Sequence, residues 1–155
     1  GTNAIQGLDL LGRKVLGNNG ATLKKFGKLV AALVEQEGVN EQMAEFINPM
    51  AALGDQVSKL TLELGFKALA NPNEVGAAAV DYLRVAGHLV LGYFWARMAQ
   101  VALQQIAAGS TDPFYAAKLQ TARFYFAKLF PETASCMRTI RAGSRSLMDT
   151  DLALA

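Results

Sequence analysis

The sequence predicts an all-α fold, an antiparallel bundle of about six helices around one long central helix. Three observations carry that expectation. The stretch from Asn73 to Gly109 contains no proline and is dominated by Ala, Val, Leu and aromatic residues; a helix over Glu74 to Ala108 would be about 50 Å long at ~1.5 Å per residue. The segments on either side of it repeat apolar residues at intervals of three and four, and Gly, Pro and Asn punctuate them. No segment shows the period-two alternation and β-branched enrichment of strands.

Taken in order, residues 1 to 17 read as a short helix beginning at Thr2 or Asn3, either of which can cap free amides of a first turn. Ile5, Leu8, Leu11, Val15 and Leu16 form its apolar side, and Asp9 with Arg13 makes a four-apart ion pair. Asn18-Asn19-Gly20 ends it. A second helix over Ala21 to Glu37 presents Leu23, Phe26, Val30 and Leu33, and stops at Gly38. From a cap at Asn40, Phe46, Met50, Leu53, Val57, Leu60 and Leu64 mark a third helix, in which Pro49 predicts a kink or a fresh start.

Asn71-Pro72-Asn73 separates that run from the central helix. There Val75, Ala79, Tyr82, Ala86, Leu89 and Tyr93 define one face, and Leu83, Val90, Phe94 and Val101 a second. Two apolar faces predict neighbours on several sides, with Asp81, Arg84, Arg97, Gln100, Gln104 and Gln105 left to solvent. Gly76, Gly87 and Gly92 each cost about 1 kcal/mol of helix propensity relative to Ala, which predicts close approach of other helices at those points. After Gly109-Ser110-Thr111, Asp112-Pro113 signals a helix start, and Tyr115, Leu119, Ala122, Phe126 and Leu129 form its stripe. Pro131 opens a last helix with Met137, Ile140 and Leu147 inward, and residues 149 to 155 are expected to fray.

A chain of 155 residues supports one domain with a real core. A formal charge of +2 demands neither nucleic acid nor an acidic membrane as partner, and Lys24, Lys25 and Lys28 read as a solvated face. Arg84 and Arg97 bracket the most apolar run, so no transmembrane segment is expected. Cys136 is the one cysteine and His88 the one histidine, which removes an intrachain disulfide and any local zinc pattern. His88 reads as a core or interface residue bonded to a backbone carbonyl, Cys136 as a small buried hydrophobe. Tyr93, Phe94, Trp95, Phe124, Tyr125 and Phe126 read as core rather than as a stacking surface. The carboxylates fall at caps and on polar faces, so the residues by themselves point to a helical domain with no catalytic or metal site.

The run Gly1-Thr2-Asn3-Ala4-Ile5-Gln6, continuing to Asp9-Leu10 and Gly12-Arg13-Lys14, resembles the acyl-CoA dehydrogenase family just past its catalytic glutamate, where the family reads Tyr-Glu-Gly-Thr-x-x-Ile-Gln. Asp81-Tyr82-Leu83-Arg84, Gly87-His88, Gly92 to Ala99, Lys118, Thr121 to Tyr125 and Pro131-Glu132 resemble the extra C-terminal domain of the larger members, the methylmercaptopropionyl-CoA dehydrogenase-like branch. The resemblance implies a division into residues 1–17, the last helix of the catalytic module; 18–150, the extra helical bundle; and 151–155, a frayed tail. It implies a parent enzyme in which a glutamate removes the α-proton of an acyl-CoA thioester, hydride passes from the β-carbon to FAD, and an electron-transfer flavoprotein reoxidises the flavin.

By the same resemblance Gly1 lies by the substrate acyl group and Thr2 and Asn3 lie against FAD, while Ala4 departs from the glutamine often found there. The glutamate would immediately precede Gly1, so this chain is expected to be structural and to hold no FAD by itself. Implied partners are the upstream domains of the same enzyme and a second copy of the chain, with a cytoplasmic location. The competing readings are an independent helical interaction or dimerisation module, and a bundle that binds a ligand or partner through Tyr93, Trp95 and Arg97.

Overall fold

The computed structural model describes residues 1–148, so the expected fraying of residues 149 to 155 lies outside the described residues. Among the described residues there are helices and no strands. They are α1 (Thr2–Leu8), α2 (Ala21–Glu37), α3 (Ala44–Ala70), α4 (Asn73–Ala107), α5 (Pro113–Phe124), α6 (Glu132–Ala142) and a final turn, α7 (Arg145–Met148). The others pack around α4, the long axis the sequence predicts, and α1, α3, α5 and α6 lie directly against it. By length and composition alone α4 could span a membrane, yet it is the axis of the bundle and several of its side chains are core.

The first segment is less regular than expected. α1 widens into a π-helical stretch over Asp9–Val15 and tightens into a 3-10 turn at Leu16–Asn18. Its N-cap is Gly1, with no side-chain cap, so neither Thr2 nor Asn3 performs the expected capping. Leu11 and Val15 are buried, whereas Ile5 and Leu8 stay exposed. Asn19 and Gly20 then take left-handed backbone with φ of 54° and 73°, the reversal that Asn-Gly permits. Gly7 allows α1 to lie on α4: a Cβ there would stand 2.7 Å from the carbonyl oxygen of Ala79.

The amide of Gln42 donates to Asn40 Oδ1, which makes Asn40 the expected cap, and a 3-10 turn over Glu41–Met43 leads into α3. α3 then runs unbroken through Pro49, so there is no fresh start at the proline. All six apolar residues expected inward on α3, from Phe46 to Leu64, are buried. At α5 the Phe114 amide donates to Asp112 Oδ1, with Pro113 in the first turn. α5 passes into a π-helical stretch at Tyr125–Leu129, which turns Leu129 outward. Gly143, at φ 77°, closes α6, and Leu147 beyond it is exposed rather than inward.

The central helix departs from expectation in an informative way. Ala79, Tyr82 and Leu89 of its first face are buried. The second face is not covered: Leu83 is half-buried, and Val90, Phe94 and Val101 are exposed. Gln100, expected in solvent, is buried because its Nε2 donates to Glu37 Oε1 at 2.5 Å, and Asn40 Nδ2 donates to the other oxygen of that carboxylate at 2.9 Å. Of the three glycines only Gly92 meets a close neighbour, since a Cβ there would stand 2.8 Å from the Phe130 ring; Gly76 and Gly87 face open space.

Candidate functional site

Three places in the fold bear on chemistry, and the first holds the residues that the resemblance marks. Gly1, Thr2 and Asn3 are all exposed on the opening turn of α1. Their side chains cap no amide of that turn. They have no walls around them. The groove at this end of the bundle, about 440 Å³, is lined by Leu8, Pro72, Val75, Gly76, Leu147 and Met148 among others and by none of these three. Thr2 and Asn3 therefore stand at an open edge of the bundle and outside that groove.

His88 is the second place. α4 presents it half-buried toward α5 and α6, where Nδ1 lies 2.9 Å from Tyr125 Oη and Nε2 3.1 Å from Glu132 Oε2. Glu132 Oε1 accepts from Arg84 at 2.7 Å, so the carboxylate bridges two bases on α4. Its ring partners are thus side chains rather than the expected backbone carbonyl; the carbonyl of His88 itself accepts from Tyr125 Oη at 3.3 Å. Burial pushes the Tyr125 hydroxyl up to about 12, beyond use as an acid near neutrality. Trp95 stacks on Tyr125 with ring centroids 6.2 Å apart. No buried side-chain polar atom in this network lacks a partner, and it closes the junction of α4 with the segment from Tyr125 to Glu132 rather than opening a pocket. Cys136 is buried as expected, and burial first, then the charges of Asp81 and Glu132, raise its thiol.

The third place is a shallow groove of about 260 Å³ between α4 and α5, with Phe94, Arg97, Val101, Phe114 and Lys118 among its walls. The aromatic residues expected in the core divide here. Tyr125 and Phe126 are buried, Tyr93 packs edge-on against Phe26, and Phe94 and Phe124 are exposed. Tyr93 and Trp95 do not line this groove with Arg97, so the three do not form one concave surface. Among the described residues no group of three His, Cys, Asp or Glu side chains could hold a metal ion.

With that geometry in view, similarity to known proteins is decisive. Residues 23–151 match the family model described as acetyl-CoA dehydrogenase C-terminal like. The chain belongs to the acyl-CoA dehydrogenase C-terminal-like family. It is 30% identical over 153 residues, 98% of its length, to a 3-methylmercaptopropionyl-CoA dehydrogenase of Ruegeria pomeroyi. It is 26% identical over 97% of its length to a broad-specificity linear acyl-CoA dehydrogenase of Mycobacterium tuberculosis, and 27% identical over 96% to a butyryl-CoA dehydrogenase of Syntrophomonas wolfei. The chain spans about a quarter of the length of these relatives: 26%, 26% and 25%.

Proposed function

We propose that this chain forms the C-terminal helical part of an FAD-dependent acyl-CoA dehydrogenase and contributes packing rather than chemistry to the conversion of an acyl-CoA thioester into its trans-2-enoyl product. The supporting observation is that three relatives named as acyl-CoA dehydrogenases align with 96% or more of this chain. In that reading residues 1–17 complete the catalytic module and 18–150 form the appended bundle, and the proton-abstracting glutamate lies immediately upstream of Gly1. FAD, when bound, accepts hydride from the β-carbon of the substrate.

The roles left to this chain are positional. Gly1, with no side chain, lets the acyl group pass close to the backbone, and the Thr2 hydroxyl and Asn3 carboxamide donate to the cofactor edge. The fixed link between α1 and α4 at Gly7 holds that opening turn against the bundle. A cytoplasmic location and an electron-transfer flavoprotein as electron acceptor belong to the same proposal.

The test is a protein extended upstream of Gly1 to the length of the relatives. It is expected to reduce an artificial electron acceptor with acyl-CoA, and Thr2→Ala with Asn3→Ala is expected to weaken flavin retention while leaving the bundle folded. Upstream sequence that holds a start codon close to Gly1 and no Tyr-Glu would favour the independent interaction module instead.

A further inference from the structure

His88 sits where one hydroxyl has two acceptors within reach and only one hydrogen to give. We propose that this junction is a proton-driven hydrogen-bond switch: when the imidazole takes up a proton, the Tyr125 hydroxyl turns from the ring to the backbone carbonyl of His88, and no heavy atom has to move. The proposal does not depend on the dehydrogenase reading. Glu132 fixes the starting state. Its carboxylate, held on Oε1 by Arg84 at 2.7 Å, can only accept, so the ring nitrogen 3.1 Å from Oε2 carries the hydrogen. In the neutral ring Nδ1 is then a bare acceptor, and the Tyr125 hydroxyl, 2.9 Å away, donates to it.

A protonated ring donates at both nitrogens, and the same atoms serve it. Nε2 keeps its bond to Glu132, now strengthened by charge. Nδ1 donates to the Tyr125 oxygen, and the phenolic hydrogen turns to the His88 carbonyl oxygen, 3.3 Å away. The charged and titratable groups around the ring are Arg84 on its own helix, Tyr125 on the π-helical stretch and Glu132 on α6; Asp81 and the buried Cys136 adjoin Glu132 and Arg84. From α5 the Lys118 ammonium reaches only the Trp95 ring, 6.0 Å from its centroid. Trp95 stacks on Tyr125 and Phe130 stands edge-on to His88, so the rings are held and the hydroxyl rotor is the part left free to turn. The carbonyl it reaches is the one that accepts the Gly92 amide within α4. A proton gained at the ring is therefore felt one turn along α4, at the glycine against which Phe130 packs.

Nuclear magnetic resonance of the full chain tests the switch. The imidazole nitrogen shifts are expected to show the Nε2–H tautomer alone at about pH 8 and a doubly protonated ring at about pH 5, the span in which histidine exchanges its proton. The Gly92 amide shift is expected to titrate with the ring. Tyr125→Phe keeps the buried ring and removes only the hydroxyl, and there Gly92 should lose most of that shift. Glu132→Gln, whose side chain can donate as well as accept, is expected to admit the Nδ1–H tautomer. Urea unfolding supplies a second readout. A bond donated by the charged ring is stronger than one accepted by the neutral ring, so the ratio of folding constants, wild type to Tyr125→Phe, should rise roughly tenfold from about pH 8 to about pH 5. An Nδ1–H tautomer in the wild type, a ring still neutral at the acid end, a Gly92 shift of wild-type size in Tyr125→Phe, or a stability ratio that does not change with pH would each overturn the proposal.

Discussion

Replacing glycine by alanine should have opposite effects at two places in this chain, and the contrast tests how α1 is held. At Gly27, exposed in the middle of α2, an added Cβ meets nothing within 4 Å. Only backbone entropy and helix propensity then change, and Gly27→Ala should stabilise the fold by about 0.5–1 kcal/mol. At Gly7 the added Cβ would stand 2.7 Å from the Ala79 oxygen, 2.9 Å from its carbonyl carbon and 3.2 Å from the Val80 nitrogen. These are backbone atoms inside α4, and they cannot rotate away as a side chain would. Ordinary contact requires α1 to retreat by most of an ångström, and a gap of 0.5–1 Å forfeits roughly a quarter to a half of each dispersion contact along the crossing.

The overpacking cost of about 1–3 kcal/mol should exceed the propensity gain. Gly7→Ala should therefore lower Tm while Gly27→Ala raises it, at about 2–4 °C per kcal/mol for a chain of this size. Thermal melts by circular dichroism at fixed protein concentration compare the two. Equal positive shifts would refute the close approach of α1 to α4.

Three other perturbations follow from the same geometry. Gln100→Ala removes a donor from the buried Glu37 carboxylate, leaving Oε1 unpaired, and should cost about 1–3 kcal/mol in urea unfolding. Asp112→Ala removes the cap on the Phe114 amide and should cost about 1 kcal/mol, recoverable in part by Asp112→Asn. Glu74 accepts from the Ser144 hydroxyl and amide, chiefly through the hydroxyl, and these bonds lower its pKa. A lowered folded-state pKa gives stability that is present above the unfolded value near 4.5 and lost as pH falls toward the folded one. Hydrogen-exchange protection around α6 and α7, taken relative to the intrinsic exchange rate at each pH, should thus fall below about pH 4.5 in the wild type, and far less in Glu74→Gln.

Much of the fold was legible because period and punctuation agree. Asn40 and Asp112 cap as their side chains require, α3 buries its whole stripe, and Asn73 to Ala107 forms the axis one residue from its expected bounds. What could not be read was which apolar surface has a neighbour. Phe94 and Leu89 look alike in a helical pattern, and only packing tells that Leu89 meets the core while Phe94 meets solvent. Gly87 and Gly92 are likewise indistinguishable until Phe130 arrives over one of them. Gln100 was misjudged because its partner Glu37 is 63 residues away in sequence. For the site, the opening residues carried a family resemblance but no geometry. The Glu132 bridge between Arg84 and His88 had a faint signal in their four-residue spacing on α4, and none that named the glutamate.

The claim on which the account turns is that these helices hold a catalytic apparatus in place without containing it. Its most direct test is the visible absorbance spectrum and acyl-CoA turnover of the purified 155-residue chain, beside those of the same chain extended upstream to the length of its relatives. The account predicts a colourless, inactive short chain and a yellow, active long one. Flavin that stays with the short chain through gel filtration, or enoyl-CoA formed by it, would contradict the account.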